Sequence, residues 1–269
     1  MRLLRTAAEV RDALADDRAA ERSIGLVPTM GAFHGGHLAL MAASTARDDM
    51  TVVSLFVNPA QFGPSEDLAR YPRDEAGDAA TAEAAGVGIL FAPPVDEIYP
   101  AGFDTWVDPG ALATVLEGAV RPGHFRGVAT VCTRLFGIVR PTRAYFGRKD
   151  AQQVAVIKQV VSDLALPLEI VACPTVRDPD GLALSSRNAY LSPDERERAL
   201  ALPRALQAGA EAHRDAADAE AAARDVLAAA KGVEVDYVAV ADLDGPTLAG
   251  AIRIGSTRLI DNVRLDGSA

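Results

Sequence analysis

Two histidines, His34 and His37, stand three residues apart in a glycine-rich stretch that follows an apolar run at residues 24–27. Glycines let the backbone turn closely, and a helix that begins after such a turn points free amide groups into it. Imidazoles and amides donate hydrogen bonds to phosphate oxygens as charge develops there. The stretch therefore predicts a triphosphate-binding loop suited to phosphoryl or nucleotidyl transfer.

The same pair also permits plainer interpretations. A histidine beside a glycine turn often caps a helix or packs in a core, and this segment alone leaves that alternative open. Zinc is a weaker interpretation, because a His-x-x-His pair without a third Cys, His or carboxylate nearby lacks ligands.

A second apolar run ends in Asn58-Pro59-Ala60-Gln61. Amide side chains at the point where a strand opens into a cleft suit hydrogen bonds to a small polar substrate. Asn-Pro is equally typical of a turn, so both interpretations of Asn58 stay open here.

Lysine is rare in this chain: it occurs only at positions 149, 158 and 231. Lys149 lies where an apolar run gives way to a helical pattern, and a flexible ammonium there can reach phosphates. Asp150 can bond a ribose hydroxyl or cap the helix. Gln153, one turn further on, is expected to face the same crevice.

A fourth segment, Leu184-Ser185-Ser186-Arg187, places two hydroxyls beside a guanidinium. Such a loop can fold over the outer phosphates of a nucleotide. Ser-Ser-Arg is also common in surface loops, and the segment by itself does not decide between the two.

Short apolar runs alternate with helical patterns through the first two thirds of the chain, which predicts crossover units on a parallel sheet. Ligands of such sheets bind where strands give way to helix N-termini. Strands are predicted at residues 24–27, 51–57, 87–91, 143–146 and 168–172, and helices at 38–46, 74–85, 126–139 and 151–163.

The pattern changes beyond residue 175. Two alanine-rich helices, 193–213 and 216–231, precede strand-like runs at 233–241 and 253–260. We therefore expect a Rossmann-like α/β domain at residues 1–175 and a smaller α+β domain at residues 176–269.

Composition excludes some classes of partner. The chain has 37 acidic and 27 basic residues, a formal net charge of −10, so no broad positive field exists to attract nucleic acid. Two widely spaced cysteines indicate neither a disulfide framework nor a metal knuckle. No stretch approaches the ~18 apolar residues of a membrane span, so we expect a cytoplasmic protein without a membrane partner.

Taken together, four segments (residues 27–40, 54–73, 121–153 and 175–191) resemble the pantoate–β-alanine ligase family, a branch of the nucleotidyltransferase superfamily that carries a His-x-x-His signature. The resemblance implies ATP-dependent joining of pantoate to β-alanine through a pantoyl adenylate, with release of AMP and diphosphate. It also implies that the domain at residues 1–175 binds ATP and pantoate and that the domain at residues 176–269 closes over the site. Mg²⁺ is the implied companion of ATP, and a homodimer the implied assembly.

The resemblance assigns roles residue by residue. His34, His37, Lys149 and Arg187 are the expected catalytic group, with His37 as proton donor, and Asp78 is matched loosely to a magnesium ligand. Gln61, Gln153 and Asn58 are expected to hold pantoate and β-alanine. The expected ATP-binding residues are Met30, Gly31, Ala32, Phe33, His34, Gly35, Gly36, His37, Gly147, Arg148, Lys149, Asp150, Val176, Leu184, Ser185, Ser186 and Arg187.

Arg148 departs from the glutamate usual in the family and is expected to add positive charge beside the phosphates. Two rival functions stay open at this point. One is another adenylyl- or cytidylyltransferase of the same superfamily, which shares the histidine pair. The other is a noncatalytic nucleotide-binding module, or a small metal site built on His34 and His37.

Overall fold

The computed structural model describes residues 1–64 and 66–267. The chain forms two compact units, Met1–Phe146 with Val156–Cys173, and Gly147–Ala155 with Pro174–Ala269. Ser268 and Ala269, which end the predicted C-terminal domain, lie outside the described residues.

The strands are β1 (Arg2–Leu4), β2 (Ile24–Thr29), β3 (Met50–Leu55), β4 (Ile89–Phe91), β5 (Arg143–Gly147), β6 (Glu169–Cys173), β7 (Glu234–Asp242), β8 (Pro246–Ile254) and β9 (Thr257–Arg264). The helices are α1 (Ala7–Ala13), α2 (Ala15–Ala19), α3 (Gly35–Thr45), α4 (Glu75–Ala84), α5 (Val95–Ile98), α6 (Glu117–Val120), α7 (His124–Val139), α8 (Ala151–Asp163), α9 (Pro193–Ala199), α10 (Ala201–Arg214) and α11 (Ala219–Ala229). None of the described helices is long and apolar enough to cross a membrane.

The first unit is built on a six-stranded sheet with the order β1-β4-β3-β2-β5-β6. The pairs β1 with β4, β4 with β3, β3 with β2 and β2 with β5 are parallel. From β2 the chain proceeds to β3 and β4 on one side, and to β5 and β6 on the other. The carboxyl end of β2 therefore lies at the topological switch point, where ligands of such sheets bind. The predicted Rossmann-like architecture is confirmed.

Helix α3 packs against this sheet through fully buried side chains. Met41 of α3 shares one core cluster with Val27, Val53 and Tyr145 of the strands, none more than 1% exposed. Burial of side chains this large contributes about 1.5–3 kcal/mol each. The packing holds the first turn of α3 at the end of β2.

The second unit contains a three-stranded antiparallel sheet, β7-β8-β9, with α9, α10 and α11. Its core includes Leu202, Leu206, Leu227, Leu248 and Ile252, all at most 2% exposed. The predicted smaller α+β architecture is confirmed.

The strand predicted at residues 253–260 is wrong. Strands β8 and β9 pair with Ile254 opposite Thr257, so that segment contains a two-residue hairpin turn. Gly255 takes φ 57° there, as the first turn residue of a type II′ hairpin requires. The Gly-Ser pair was the available signal, and the apolar residues on both sides of it obscured it.

Two further differences have local causes. The helix predicted at 193–213 is divided at Leu200 into α9 and α10, because Pro203 has no amide and is tolerated only in a first turn. Strand β1 was not predicted, because three residues at the edge of a sheet are too few to show a periodicity.

Candidate active site

The loop after β2 turns through two consecutive left-handed residues, Gly31 at φ 88° and Ala32 at φ 53°. Turns of this kind direct successive amides into a concavity that accepts an anion. Here the anion is the carboxylate of Asp78: its Oδ2 accepts from the Ala32 amide at 2.9 Å, and its Oδ1 from the Phe33 amide at 2.8 Å. A Cβ at position 31 would lie 2.7 Å from Asp78 Oδ2, so only glycine fits. Asp78 thereby fixes the chain just before the histidine pair.

The backbone at the start of α3 orients both histidine rings. His34 is the N-cap residue, and its Nδ1 accepts from the Gly36 amide at 3.1 Å. The Nδ1 of His37 accepts from the His34 amide at 3.3 Å. Since an amide only donates, the proton of each neutral imidazole is assigned to Nε2. The two ring centroids are 4.2 Å apart, so two rings of the same tautomer lie together at the end of β2.

The helix-cap interpretation of the pair is therefore correct, and it is compatible with phosphate binding. Capping uses Nδ1 of each ring, whereas donation to a phosphate would use Nε2. Four backbone amides that were expected to bind phosphate donate instead to side chains of this protein. They are the amides of Ala32, Phe33, His34 and Gly36.

Asp78 was expected, on the resemblance, to help hold magnesium. It is 5% exposed, and each carboxylate oxygen already accepts an amide proton. Across residues 1–64 and 66–267, no group of three or more His, Cys, Asp or Glu side chains is placed to hold a metal ion. The surroundings of Asp78 fit a residue that holds the loop and do not fit a metal ligand.

The amide of Asn58 is bonded within the protein at both its nitrogen and its oxygen. Its Nδ2 donates to Gln61 Oε1 at 3.0 Å and to the Gly127 carbonyl at 3.2 Å. Its Oδ1 accepts from the Ala60 amide at 3.2 Å and from the Tyr99 hydroxyl at 2.8 Å. Asn58 is 1% exposed. It makes the turn that the Asn-Pro pair allowed, and it orients Gln61.

Gln61 retains one donor with a weak partner. Its Nε2 lies 3.3 Å from the sulfur of Met30, in the loop after β2. A thioether is a poor acceptor, so this N–H can move to an oxygen of a bound substrate. The structure thus brings together the loops after β2 and β3, as expected for neighbouring parallel strands.

A buried histidine holds the backbone of Gln61. His124 Nδ1 lies 2.8 Å from the Gln61 carbonyl, and Nε2 lies 3.1 Å from Nη1 of Arg121. A carbonyl only accepts and a guanidinium only donates, so His124 is neutral with its proton on Nδ1. Arg121 also makes a two-point ion pair with Glu66 at 2.6 and 2.8 Å. Burial, followed by the charge of Arg121, lowers the pKa of His124 to about 4.

This pKa predicts a loss of stability in acid. The unfolded chain takes up a proton at position 124 near pH 6.5, whereas the folded chain takes it up only near pH 4. Stability from His124 is therefore complete above pH 6.5 and is lost as the pH falls towards 4, by up to about 3 kcal/mol. We expect His124→Asn, which keeps a donor to the Gln61 carbonyl, to lose less unfolding free energy than the wild type between pH 7 and 4.5 in urea titrations. Equal losses would contradict this role.

In the second unit, Lys149 lies in a short 3-10 helix, Arg148–Asp150, between β5 and α8. Its side chain is 19% exposed, and Nζ is 3.8 Å from Asp150 Oδ1. The Arg148 guanidinium, expected beside the phosphates, is 3.4 Å from an Asp244 carboxylate oxygen. The charge introduced at position 148 is thus paired within its own unit.

The segment at residues 176–187 is a folded-back loop. The Leu184 amide donates to the Val176 carbonyl at 2.9 Å. Ser185 begins a short 3-10 helix, Ser186–Tyr190, by accepting from the Arg187 amide at 3.3 Å. Ser185, Ser186 and Arg187 of the predicted phosphate loop therefore lie together at the start of this 3-10 helix.

The predicted residues fall into two groups, one in each unit. Gln153, in the first turn of α8, is partly buried in the second unit. The first unit holds Met30, Gly31, Ala32, Phe33, His34, Gly35, Gly36, His37, Asn58, Gln61 and Asp78, and the second holds Gly147, Arg148, Lys149, Asp150, Gln153, Val176, Leu184, Ser185, Ser186 and Arg187.

Three residues that orient this group were not predicted. Tyr99, His124 and Asn262 bond predicted residues across 41, 63 and 113 positions of sequence respectively. No local pattern announces contacts of this range. His124 alone had a signal, since it stands in a Gly-His-Phe-Arg-Gly stretch that contributes to the resemblance.

Comparison with known proteins adds independent evidence. The family model described as pantoate–β-alanine ligase matches residues 2–264. Pantothenate synthetase 1 of Bradyrhizobium diazoefficiens is 55% identical over 281 residues, covering 100% of this chain and 99% of the relative. The pantothenate synthetase of Roseiflexus sp. (strain RS-1) is 53% identical over 280 residues, covering 99% of this chain and 100% of the relative.

Solved structures agree. The pantothenate synthetase of Thermus thermophilus superposes with a TM-score of 0.92 at 47% identity, over 98% of this chain and 99% of that one. The pantoate–β-alanine ligase of Francisella tularensis, solved as a complex with β-γ ATP and β-alanine, gives 0.86 at 33% identity, over 100% of this chain and 99% of that one. By full-length sequence and by fold, the chain belongs to the pantoate–β-alanine ligase family.

Proposed function

We propose that this protein joins pantoate to β-alanine at the expense of ATP, releasing pantothenate, AMP and diphosphate. The observation that carries the proposal is the histidine pair, held at the switch point of the sheet with both ring protons assigned to Nε2. Family membership over residues 2–264 supports the choice of substrates.

The first step is attack by a pantoate carboxylate oxygen on the α-phosphorus of ATP. The new O–P bond forms pantoyl adenylate while the bond to diphosphate breaks. Both reactants are anions, so the rate depends on donors that neutralise charge in the transition state. We assign this work to Nε2–H of His34 and His37, the Lys149 ammonium and the Arg187 guanidinium.

In the second step the amine of β-alanine attacks the acyl carbon, AMP leaves, and the amine loses a proton. Neither step uses a covalent enzyme intermediate. The cysteines agree with this, since Cys132 and Cys173 are both buried, and burial raises the pKa of Cys132 to about 12. A thiol of that acidity is not a nucleophile at neutral pH. The loop at Ser185 to Arg187 is proposed to exclude water from the acyl adenylate.

Gln61 is proposed to hold pantoate through its Nε2. We expect Gln61→Ala to raise the KM for pantoate, by roughly 10-fold or more for one lost hydrogen bond to a charged group, while the KM for ATP changes little. Steady-state assays with one substrate varied at a time measure this. Gln207→Ala, at an exposed glutamine bonded to Glu211 on its own helix, is the matched control. An unchanged pantoate KM would remove Gln61 from the substrate site.

The decisive assay measures AMP formed from ATP, pantoate and β-alanine, with each omitted in turn. We expect AMP only when all three are present, and exchange of diphosphate into ATP that requires pantoate but not β-alanine. A nucleotidyltransferase making a dinucleotide or nucleotide-lipid product would show no exchange with pantoate, and would exchange diphosphate only when its own acceptor was supplied. A noncatalytic nucleotide-binding module would show no turnover of ATP.

Three further properties are proposed on family membership. Mg²⁺ is proposed to enter as the companion of ATP, coordinated chiefly by phosphate oxygens, because Asp78 is committed to the loop after β2. A homodimer and a cytoplasmic location are proposed on the same ground. Titration of activity with Mg²⁺ and sedimentation velocity test the first two, and fractionation of the source cells tests the third.

A further inference from the structure

One buried side-chain amide forms two hydrogen bonds with the backbone of the turn that contains Lys149. The Nδ2 of Asn262, on β9, donates to the Arg148 carbonyl at 2.8 Å and to the Lys149 carbonyl at 2.9 Å. Carbonyl oxygens only accept, so both protons of the amide are used and its orientation is determined. Asn262 is 9% exposed. Water therefore competes little for these bonds.

An ion pair secures Asn262 in turn. The Asp261 carboxylate accepts a hydrogen bond from the backbone N–H of Asn262 at 2.8 Å. It also accepts from two nitrogens of the Arg177 guanidinium, at 2.6 and 2.9 Å. The Asp261 side chain is 2% exposed. Burial alone would lower the pKa of Arg177, but its hydrogen bonds and charge interaction with Asp261 raise it overall. The Arg177 guanidinium therefore stays charged beside the Asp261 carboxylate.

The same ion pair reaches the second predicted phosphate segment. Arg177 adjoins Val176, and its Nη1 also donates to the Gly181 carbonyl at 3.1 Å. Lys149, Ser185 and Asp261 line one small cavity. The Lys149 turn is thus connected to the loop of residues 176–187 through Asn262, Asp261 and Arg177. All of these residues lie in the second unit.

We infer that Asn262 is a positioning residue for the adenylation step, acting through Lys149, an inference that rests on the proposed function. The ammonium of Lys149 stabilises a transition state only if its backbone is held to a fraction of an ångström, since a displacement of about 1 Å can lower a rate 10²-fold. The amide of Asn262 supplies that restraint from a strand 113 residues away. It contacts the backbone of the turn, so it needs no contact with substrate.

The test compares three variants of the full chain. Asn262→Ala removes both donors, and Asn262→Asp keeps the shape but sets an acceptor against two carbonyls. Val263→Ala is the matched control: Val263 is the next residue of β9 and packs against the core of the same unit. Melting temperature, pantoate-dependent diphosphate exchange and the KM for pantoate are measured for each, alone and combined with Lys149→Ala.

We expect both Asn262 variants to lower kcat for exchange by about 10- to 100-fold, with the KM for pantoate unchanged and a melting temperature close to that of Val263→Ala. In the Lys149→Ala background, Asn262→Ala is expected to cause no further loss. Independent, multiplying losses, or an Asn262→Ala enzyme as active as Val263→Ala, would overturn the inference.

Failure of the inference is distinguishable from failure of the proposed function. If the wild type and Val263→Ala release AMP from ATP only when pantoate and β-alanine are both present, the function stands whatever the Asn262 variants do. If Asn262→Ala does not fold, Asn262→Ser, which keeps one donor, takes its place with the same expected combination with Lys149→Ala.

Discussion

Replacing His37 with alanine is expected to lower the rate of pantoyl adenylate formation by about 10²- to 10³-fold. The reason is geometric: the His34 amide fixes Nδ1 of His37 as an acceptor at 3.3 Å, so Nε2–H is the donor that the ring can offer to a phosphate. The alanine variant lacks that donor in the transition state, where the negative charge to be stabilised on the phosphate is greatest. Single-turnover formation of the adenylate, measured by rapid quench, isolates this step from product release.

The side chain also closes the first turn of α3, so stability has to be followed in parallel. His213→Ala, in the last turn of α10, is the control for the loss of an imidazole. His37→Gln places an amide N–H near the former Nε2 and is expected to recover part of the rate, whereas His37→Asn, with its shorter side chain, is not. A His37→Ala enzyme with near-wild-type single-turnover rates would refute the role.

Lys149→Ala is expected to have an effect of the same size, about 10²- to 10³-fold on adenylate formation. The Lys149 side chain is 19% exposed, and its Nζ lies 3.8 Å from the more exposed carboxylate of Asp150. An ammonium so placed can exchange this long contact for phosphate oxygens. The measurement is again single-turnover adenylate formation, together with ATP affinity by calorimetry.

Lys231→Ala, at an exposed lysine of the same unit, controls for the loss of one positive charge. Lys149→Arg keeps the charge but substitutes a larger, planar donor, so we expect only partial recovery. If Lys149→Ala retained the wild-type rate, transition-state stabilisation would have to be reassigned to the other donors. A loss confined to ATP affinity would instead make Lys149 a ground-state binding residue.

The proposed catalytic groups could be named from the sequence because each occupies a local motif, and their roles stay predictions. One motif is a glycine turn followed by two histidines, and the other is a rare lysine between a strand and a helix. In both, adjacent residues are enough to indicate the chemistry. Helix α8 was predicted with its observed ends, Ala151 and Asp163, because its apolar spacing is undisturbed by Gly or Pro. The parallel sheet followed from the alternation of such patterns.

The residues that hold those groups were not predictable in the same way. Asp78 has the sequence context of an ordinary residue in a helical first turn, and only the fold shows its carboxylate against the amides of Ala32 and Phe33. Asn262 reads as one polar residue in a strand. Such residues act through contacts between distant segments, and a local pattern contains no information about those contacts.

The loop after β2 also differs from loops that bind phosphate through the main chain. In those loops only a substitution by proline removes a donor, because all residues except proline carry a backbone N–H. Here the amides of Ala32, Phe33, His34 and Gly36 are already engaged, and the proposed donors to phosphate in the first unit are the imidazoles. Single substitutions at positions 34 and 37 are therefore expected to weaken phosphate binding in steps, and also to loosen the first turn of α3 that both rings cap.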